Sequence, residues 1–153
     1  TGSVVDGGGG ATVAASTGVL DMDGTSNLKI AGDLSFSGTM EAESGSRIDL
    51  DGSSEQEVSG SPASAPTFNR IFCSSSATLF NMTATINDSL DAGGQNFTIS
   101  SGKTLTMASG SVTVLSGGTW KRTGTLTLNA ASKELFLNFR YINATIRVLL
   151  FFL

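Results

Sequence analysis

Apolar and polar residues alternate in short runs punctuated by glycine. Leu20 and Met22 share one side of an extended segment while Asp21 and Asp23 share the other. Leu28 with Ile30, Leu34 with Phe36, Met40 with Ala42, and Ile48 with Leu50 repeat the pattern. Gly18, Gly24, Gly32, Gly38, Gly45, Gly52 and Gly60 fall between these runs, every six to eight residues. Period-two alternation bounded by glycine predicts short half-buried strands. Glycine at each boundary supplies the positive φ of a tight bend. Before Lys133 no segment carries a sustained 3.6-residue apolar stripe with caps, so helices are not expected there.

The runs also repeat. Leu20-Asp21-Met22-Asp23-Gly24 matches Ile48-Asp49-Leu50-Asp51-Gly52 at an offset of 28. Thr83-Ala84-Thr85-Ile86, Thr104-Leu105-Thr106-Met107 and Thr125-Leu126-Thr127-Leu128 align at an offset of 21, twice. Both are multiples of seven, the length of one strand plus one bend. Fixed-period self-similarity marks a solenoid. The expectation is an all-β, single-stranded parallel β-solenoid of about seven short coils of roughly 21 residues, rising ~30 Å along its axis. The 28-residue offset reads as one coil plus an inserted strand–bend unit, with a four-sided coil as its rival. A β-sandwich and a Greek-key barrel are the other architectures, and the even glycine spacing favours the solenoid. The predicted interior holds Leu20, Met22, Leu28, Ile30, Ile48, Leu50, Ile86, Leu105, Met107, Leu126 and Leu128.

Three segments break the rhythm. Residues 1–17 combine a short Val4-Val5 strand with the glycine joint Gly7–Gly10. Ser53–Pro66 carries both prolines and reads as a loop bulging from a coil, with Phe68 to Phe72 re-entering the core. Residues 18–132 are the solenoid proper, and 133–153 form an apolar β tail. In that tail Leu149, Phe151 and Leu153 make the second face apolar as well, so it must be covered on both faces.

Composition narrows the chemistry. Of 153 residues, 19 are Gly, 22 Ser and 18 Thr, with 39 % hydrophobic and 14 % charged. A disordered chain would carry fewer large apolar residues and more charge. There is no His, which removes the usual general base and the commonest metal ligand. The single Cys73 forms no internal disulfide, and it reads as a buried small residue rather than a nucleophile. The longest apolar run, Val148–Leu153, is far shorter than the ~20 residues of a spanning helix. The start at Thr1 is read as that of a processed product. The net charge of −4 hides an asymmetry: residues 1–99 sum to −9 and residues 100–153 to +5. The acidic whole argues against nucleic acid as a partner.

The runs Gly18–Gly24, Gly102–Gly110 and Ser111–Thr119 resemble repeats of bacterial and archaeal extracellular parallel β-helices. Such repeats occur in autotransporter-like passenger domains, surface adhesins and secreted filament proteins. The resemblance spans roughly residues 18–130 and implies secretion to the cell surface or beyond, with a structural or adhesive role. It implies no particular activity.

Several residues are candidates for chemistry. If their strands stack, Asp21, Asp23, Asp49 and Asp51 gather four carboxylates that suit calcium. An outward Asp before a Gly bend explains the same residues. Thr83/Thr85, Thr104/Thr106 and Thr125/Thr127 form a two-column array that resembles those of ice-binding solenoids, and β-propensity also accounts for it. Asn81, Asn87, Asn96 and Asn143 each begin an Asn-x-Ser/Thr triplet, a glycosylation acceptor if exposed in a secreted chain.

The expected function is that of a structural subunit of an extracellular filament or surface fibre, such as a biofilm component, with no enzymatic activity. It polymerises with copies of itself, head-to-tail. Val4, Val5, Ile146, Val148, Leu149, Leu150, Phe151, Phe152 and Leu153 are the assembly residues. The alternative is an adhesin or glycan-binding β-helix. A polysaccharide lyase or hydrolase comes third, and its mark is a carboxylate cluster with a basic residue in one cleft.

Overall fold

The computed structural model describes residues 3–5, 11–13, 18–93, 95–108, 112–116, 120–122, 125–128 and 134–138, with side chains for 18–93, 95–108 and 125. Every regular element among them is a strand. In chain order these are β1 (Ser3–Val5), β2 (Ala11–Val13), β3 (Val19–Met22), β4 (Asn27–Ile30), β5 (Leu34–Phe36) and β6 (Thr39–Ala42). Then come β7 (Arg47–Leu50), β8 (Glu55–Gly60), β9 (Thr67–Cys73), β10 (Ala77–Asn81), β11 (Ala84–Asp91) and β12 (Asn96–Ile99). The series ends with β13 (Thr104–Met107), β14 (Val112–Ser116), β15 (Trp120–Arg122), β16 (Thr125–Leu128) and β17 (Glu134–Asn138).

The pairings are parallel and wind the chain into a three-sided β-solenoid. One face stacks β1, β4, β7, the end of β9, the end of β11, β14 and β17. The second stacks β2, β5, β8, β10, β12 and β15. The third pairs β3 with β6, and farther along it pairs the start of β9 with the start of β11, then β13 and β16. β9 and β11 are long because each turns a corner from the third face onto the first. Residues 18–108 make about four turns, against the seven coils expected over the chain. β1 and β2 on one side, and β14 to β17 on the other, continue the same ladders. Equivalent residues one turn apart are separated by between 18 positions, Thr67 to Thr85, and 24, Ser3 to Asn27.

The 21-residue offset is a true turn: Ala84 pairs Leu105, and Leu105 pairs Leu126. The 28-residue offset is not. Leu20 pairs Met40 on the third face, whereas Ile48 pairs Leu28 on the first. The repeated motif serves two different sides of the coil, so neither an inserted unit nor a fourth side is needed.

The core runs along the axis. Met22, Ile30, Ile48, Leu50, Ile86, Leu105 and Met107 are buried as expected, and Leu20 and Leu28 are half-buried. The side chains of Leu126 and Leu128 lie outside the described residues. Four aromatic rings form a central stack: Phe36, Phe68, Phe80 and Phe97 lie 6.2, 6.4 and 6.1 Å apart in succession. Phe72, expected inside, faces outward.

Ser53–Pro66 is not one loop. Gln56 and Val58 point inward from β8, and only 61–66 leaves the coil. Two glycines here are required by space. A Cβ on Gly52 would lie 2.2 Å from the Ala31 carbonyl oxygen, and one on Gly60, at φ +147°, would lie 1.7 Å from that of Phe36. Gly52 therefore serves close stacking of turns rather than positive φ. Gly7–Gly10 lies outside the described residues.

Candidate functional site

The first face carries the most elaborate outward surface. β7 reads Arg-Ile-Asp-Leu, so alternation turns Ile48 and Leu50 inward and Arg47 and Asp49 outward. Register then builds columns along the rod. Arg47 lies between Asn27 and Arg70, and Asp49 between Lys29 and Phe72. Ser89 and Asp91 continue the two columns.

Asp49 is only 4 % exposed although it points away from the core. Arg47 covers it: Nη2 donates to Asp49 Oδ2 at 2.7 Å, and Nε sits 2.5 Å from Oδ1. Asn27 Nδ2 donates to the same Oδ2 at 2.9 Å. Covering a carboxylate in this way is costly unless it is paired and hydrogen-bonded, and Arg47 and Asn27 supply both. The Arg47 guanidinium also lies 5.7 Å from the centre of the Phe72 ring, within cation–π range. One turn on, Arg70 Nε pairs with Asp88 Oδ2. Asp91 Oδ1 accepts from the Gly93 N–H at 2.8 Å. Arg47, Arg70, Phe72, Asp88, Ser89 and Asp91 line a shallow concavity of about 280 Å³. This is a cleft with carboxylates and basic residues together, the mark set for the polysaccharide-processing reading. The Asp49 and Asp88 carboxylates are engaged with arginines, so the cluster is built to hold its own charges.

No protein family, no curated protein and no solved structure matches this chain. What it does must be argued from its own geometry.

The four aspartates are not brought together. β3 pairs with β6, and β7 with β4 and β9, so Asp21 and Asp23 stand on the third face while Asp49 lies on the first. Asp21 is instead in register with Glu41, and Asp21, Asp23, Asp51, Glu41 and Glu43 are exposed. Among the described residues no three metal-ligating side chains gather. The calcium expectation fails at its premise, because the two motifs occupy different sides of the coil.

Asn81 is half-buried and donates from Nδ2 to Glu57 Oε1 at 2.8 Å. Asn87 and Asn96 are exposed, at a corner within β11 and at the start of β12. Asn143 lies outside the described residues, as do Ile146 and Val148–Leu153. Val4 and Val5 pair in-chain with Leu28 and Lys29, so β1 is a rung of the first face.

Cys73 is buried, and loss of solvent raises its thiol pKa from 9.0 to about 12. Between those values an unfolded thiol ionises and the folded one does not. Its contribution is therefore complete below pH 9 and falls as pH rises toward 12. Native protein is expected to resist a thiol reagent at mildly alkaline pH and to label fully in denaturant. Rapid labelling of the native chain would contradict this burial.

Sequence reasoning missed Arg47, Arg70 and Phe72, because Arg47 stands a full turn from the other two. Aligning 47–50 with 70–73 would have exposed the columns.

Proposed function

We propose that the chain is a structural subunit of an extracellular filament or surface fibre, joined to further copies of itself through the ends of the solenoid. The observation that carries this reading is the parallel ladder on each face, in which each described strand is hydrogen-bonded to the equivalent strand one turn away. A strand of another copy extends such a ladder by the same main-chain pairing. A heterologous contact of this kind does not close and so propagates.

Charge supports one direction of assembly. Asp21, Asp23, Glu41 and Glu43 are exposed on the first turns, while residues 100–153 sum to +5. Unlike ends attract and like ends repel, which favours head-to-tail order. The segment Ile146–Leu153 supplies apolar side chains for strand addition, worth ~1.5–3 kcal/mol each when buried. That gain is insensitive to salt, whereas attraction between exposed charges is screened within ~8–10 Å. Enzymatic activity is no part of this reading, since Asp49 and Asp88 already serve structural ion pairs.

Negative-stain microscopy of the purified chain is expected to show filaments that persist in high salt. A version ending at Asn143 is expected to remain short or monomeric. Filaments of unchanged stability from the truncated chain would remove the tail as the joint, and their absence from both would remove the proposal. A second reading, a glycan-binding module, is favoured by the concavity on the first face. There Phe72 offers an aromatic platform beside arginine and aspartate groups that suit sugar hydroxyls.

A further inference from the structure

The longest connection between strands within residues 18–108 lies between the second and third faces. β8 ends at Gly60, the chain leaves the coil over 61–66, and β9 resumes the third face at Thr67. Thr67 there pairs Thr85, and Thr85 pairs Thr106. Both ends of the excursion are fixed. Gly60 runs against the Phe36 carbonyl, and the carbonyl oxygen of the buried Pro66 accepts the Thr85 N–H at 2.9 Å. Between them Ser61, Ala63, Ser64 and Ala65 are exposed. At other corners the N–H groups of Ser26, Ser46, Gln95 and Lys103 each donate to the carbonyl oxygen three residues earlier. Residues 61–65 make no such bond. Nor does the loop lie flat on the rod: Gly60, Ser61, Pro62 and Ala65, with Thr83 and Lys103, line a hollow of about 200 Å³.

We infer that the 61–66 loop is a cleavage site for an endopeptidase whose specificity pocket takes small side chains, and that the cut chain remains one rod. An endopeptidase binds its substrate as an extended strand, through the substrate's own N–H and C=O groups, so it takes a segment that stands outside the ladders. Exposed loops of small residues are where folded chains are nicked. The run Ser-Pro-Ala-Ser-Ala-Pro offers no aromatic, long aliphatic or charged side chain, which selects a small pocket of the elastase kind over the deeper pockets of other serine proteases. The prolines narrow the position. Each holds the residue before it extended. The bonds that enter Pro62 and Pro66 have no N–H on the nitrogen that must leave, and the bond that follows Pro62 would put a ring in the small pocket. The bonds that remain join Ala63 to Ser64 and Ser64 to Ala65. Water adds across one of them, leaving a carboxylate on the first residue and an ammonium on the second. The cut breaks no ladder, because 47–50 on one side of it pairs 70–73 on the other, and 55–59 pairs 77–81. The Phe36 and Phe68 rings also stay 6.2 Å apart across it. This inference is independent of filament formation, which uses the rod's ends and not its side.

The test is brief digestion of the purified full chain with pancreatic elastase, the fragments read by mass and by amino-terminal sequencing. Within residues 18–108 the first cut is expected to expose Ser64 or Ala65 as a new amino terminus. On a native sizing column the two pieces are expected to elute together, and in denaturant to separate. The double variant Ala63→Glu with Ser64→Glu, which puts long charged side chains where the small pocket must bind, is expected to lose the cut while keeping the native circular dichroism. Ala63→Arg is expected to hand the site to trypsin, giving a fragment that begins at Ser64. That second variant separates access to the loop from the choice of side chain. A first elastase cut elsewhere within residues 18–108 overturns the inference. So does a native chain left whole under conditions that digest the heat-denatured chain, and so does separation of the two pieces without denaturant.

Discussion

Replacing Leu50 by Asp is expected to leave no folded protein at room temperature. Leu50 has no exposed surface and stacks between Ile30 and Cys73 in the first-face ladder. An aspartate there must either bury an unpaired charge or tear the ladder open to reach water. A typical domain holds only ~5–15 kcal/mol in reserve. In a solenoid each turn is supported by its neighbours, so a defect in a middle turn disconnects both halves. The milder Leu50→Ala leaves a void and is expected to cost ~2–5 kcal/mol. Thermal melts followed by circular dichroism check both. A Leu50→Asp chain that melts within a few degrees of the native one would mean that this ladder is not the core.

Gln56→Ala is expected to destabilise the fold by ~3 kcal/mol, the cost of orphaned buried groups plus a small void. Gln56 is only 1 % exposed and points into the coil from β8. Its Oε1 accepts from the Gly52 N–H at 2.8 Å. Its Nε2 donates to the carbonyl oxygens of Ile30, at 2.8 Å, and of Gly32. One side chain thus ties the corner of one turn to the corner of the next, at the point where Gly52 allows the two backbones to approach. Gln56→Leu fills the same volume without the hydrogen bonds. It is expected to recover the void term alone and to remain less stable than the native chain. Equal stability of Gln56→Leu and the native chain in denaturant melts would show that the network contributes nothing net. Glu55, the preceding residue, is exposed on the same strand, so Glu55→Ala serves as the control for local strand propensity.

Alternation and bends were legible because they are local. A strand facing a core on one side must alternate, and a short coil must bend often, whatever the rest of the chain does. The three-strand turn was legible through the Thr83, Thr104 and Thr125 repeats, because residues stacked on one face share an environment and so come to resemble one another. Leu20-Asp21-Met22-Asp23 and Ile48-Asp49-Leu50-Asp51 resembled one another equally, yet they occupy different faces. Any strand–bend unit can fill any side of a three-sided coil, so local likeness alone cannot say which side it fills. The calcium reading failed for that reason.

The sequence by itself determined that this chain is an all-β solenoid with its interior at alternate positions, since that depends only on the period of apolar residues and on the spacing of bends. Tertiary structure alone decided which residues meet across turns of unequal length, from 18 to 24 positions. It buried Asp49 at an outward position, because Arg47 and Asn27 close over it. It turned Gln56 inward among carbonyls that no neighbouring residue supplies. It added Thr67 to the threonine column, at an offset the repeat does not contain. These outcomes depend on contacts a full turn apart, where a shift of one or two residues in a corner exchanges one partner for another.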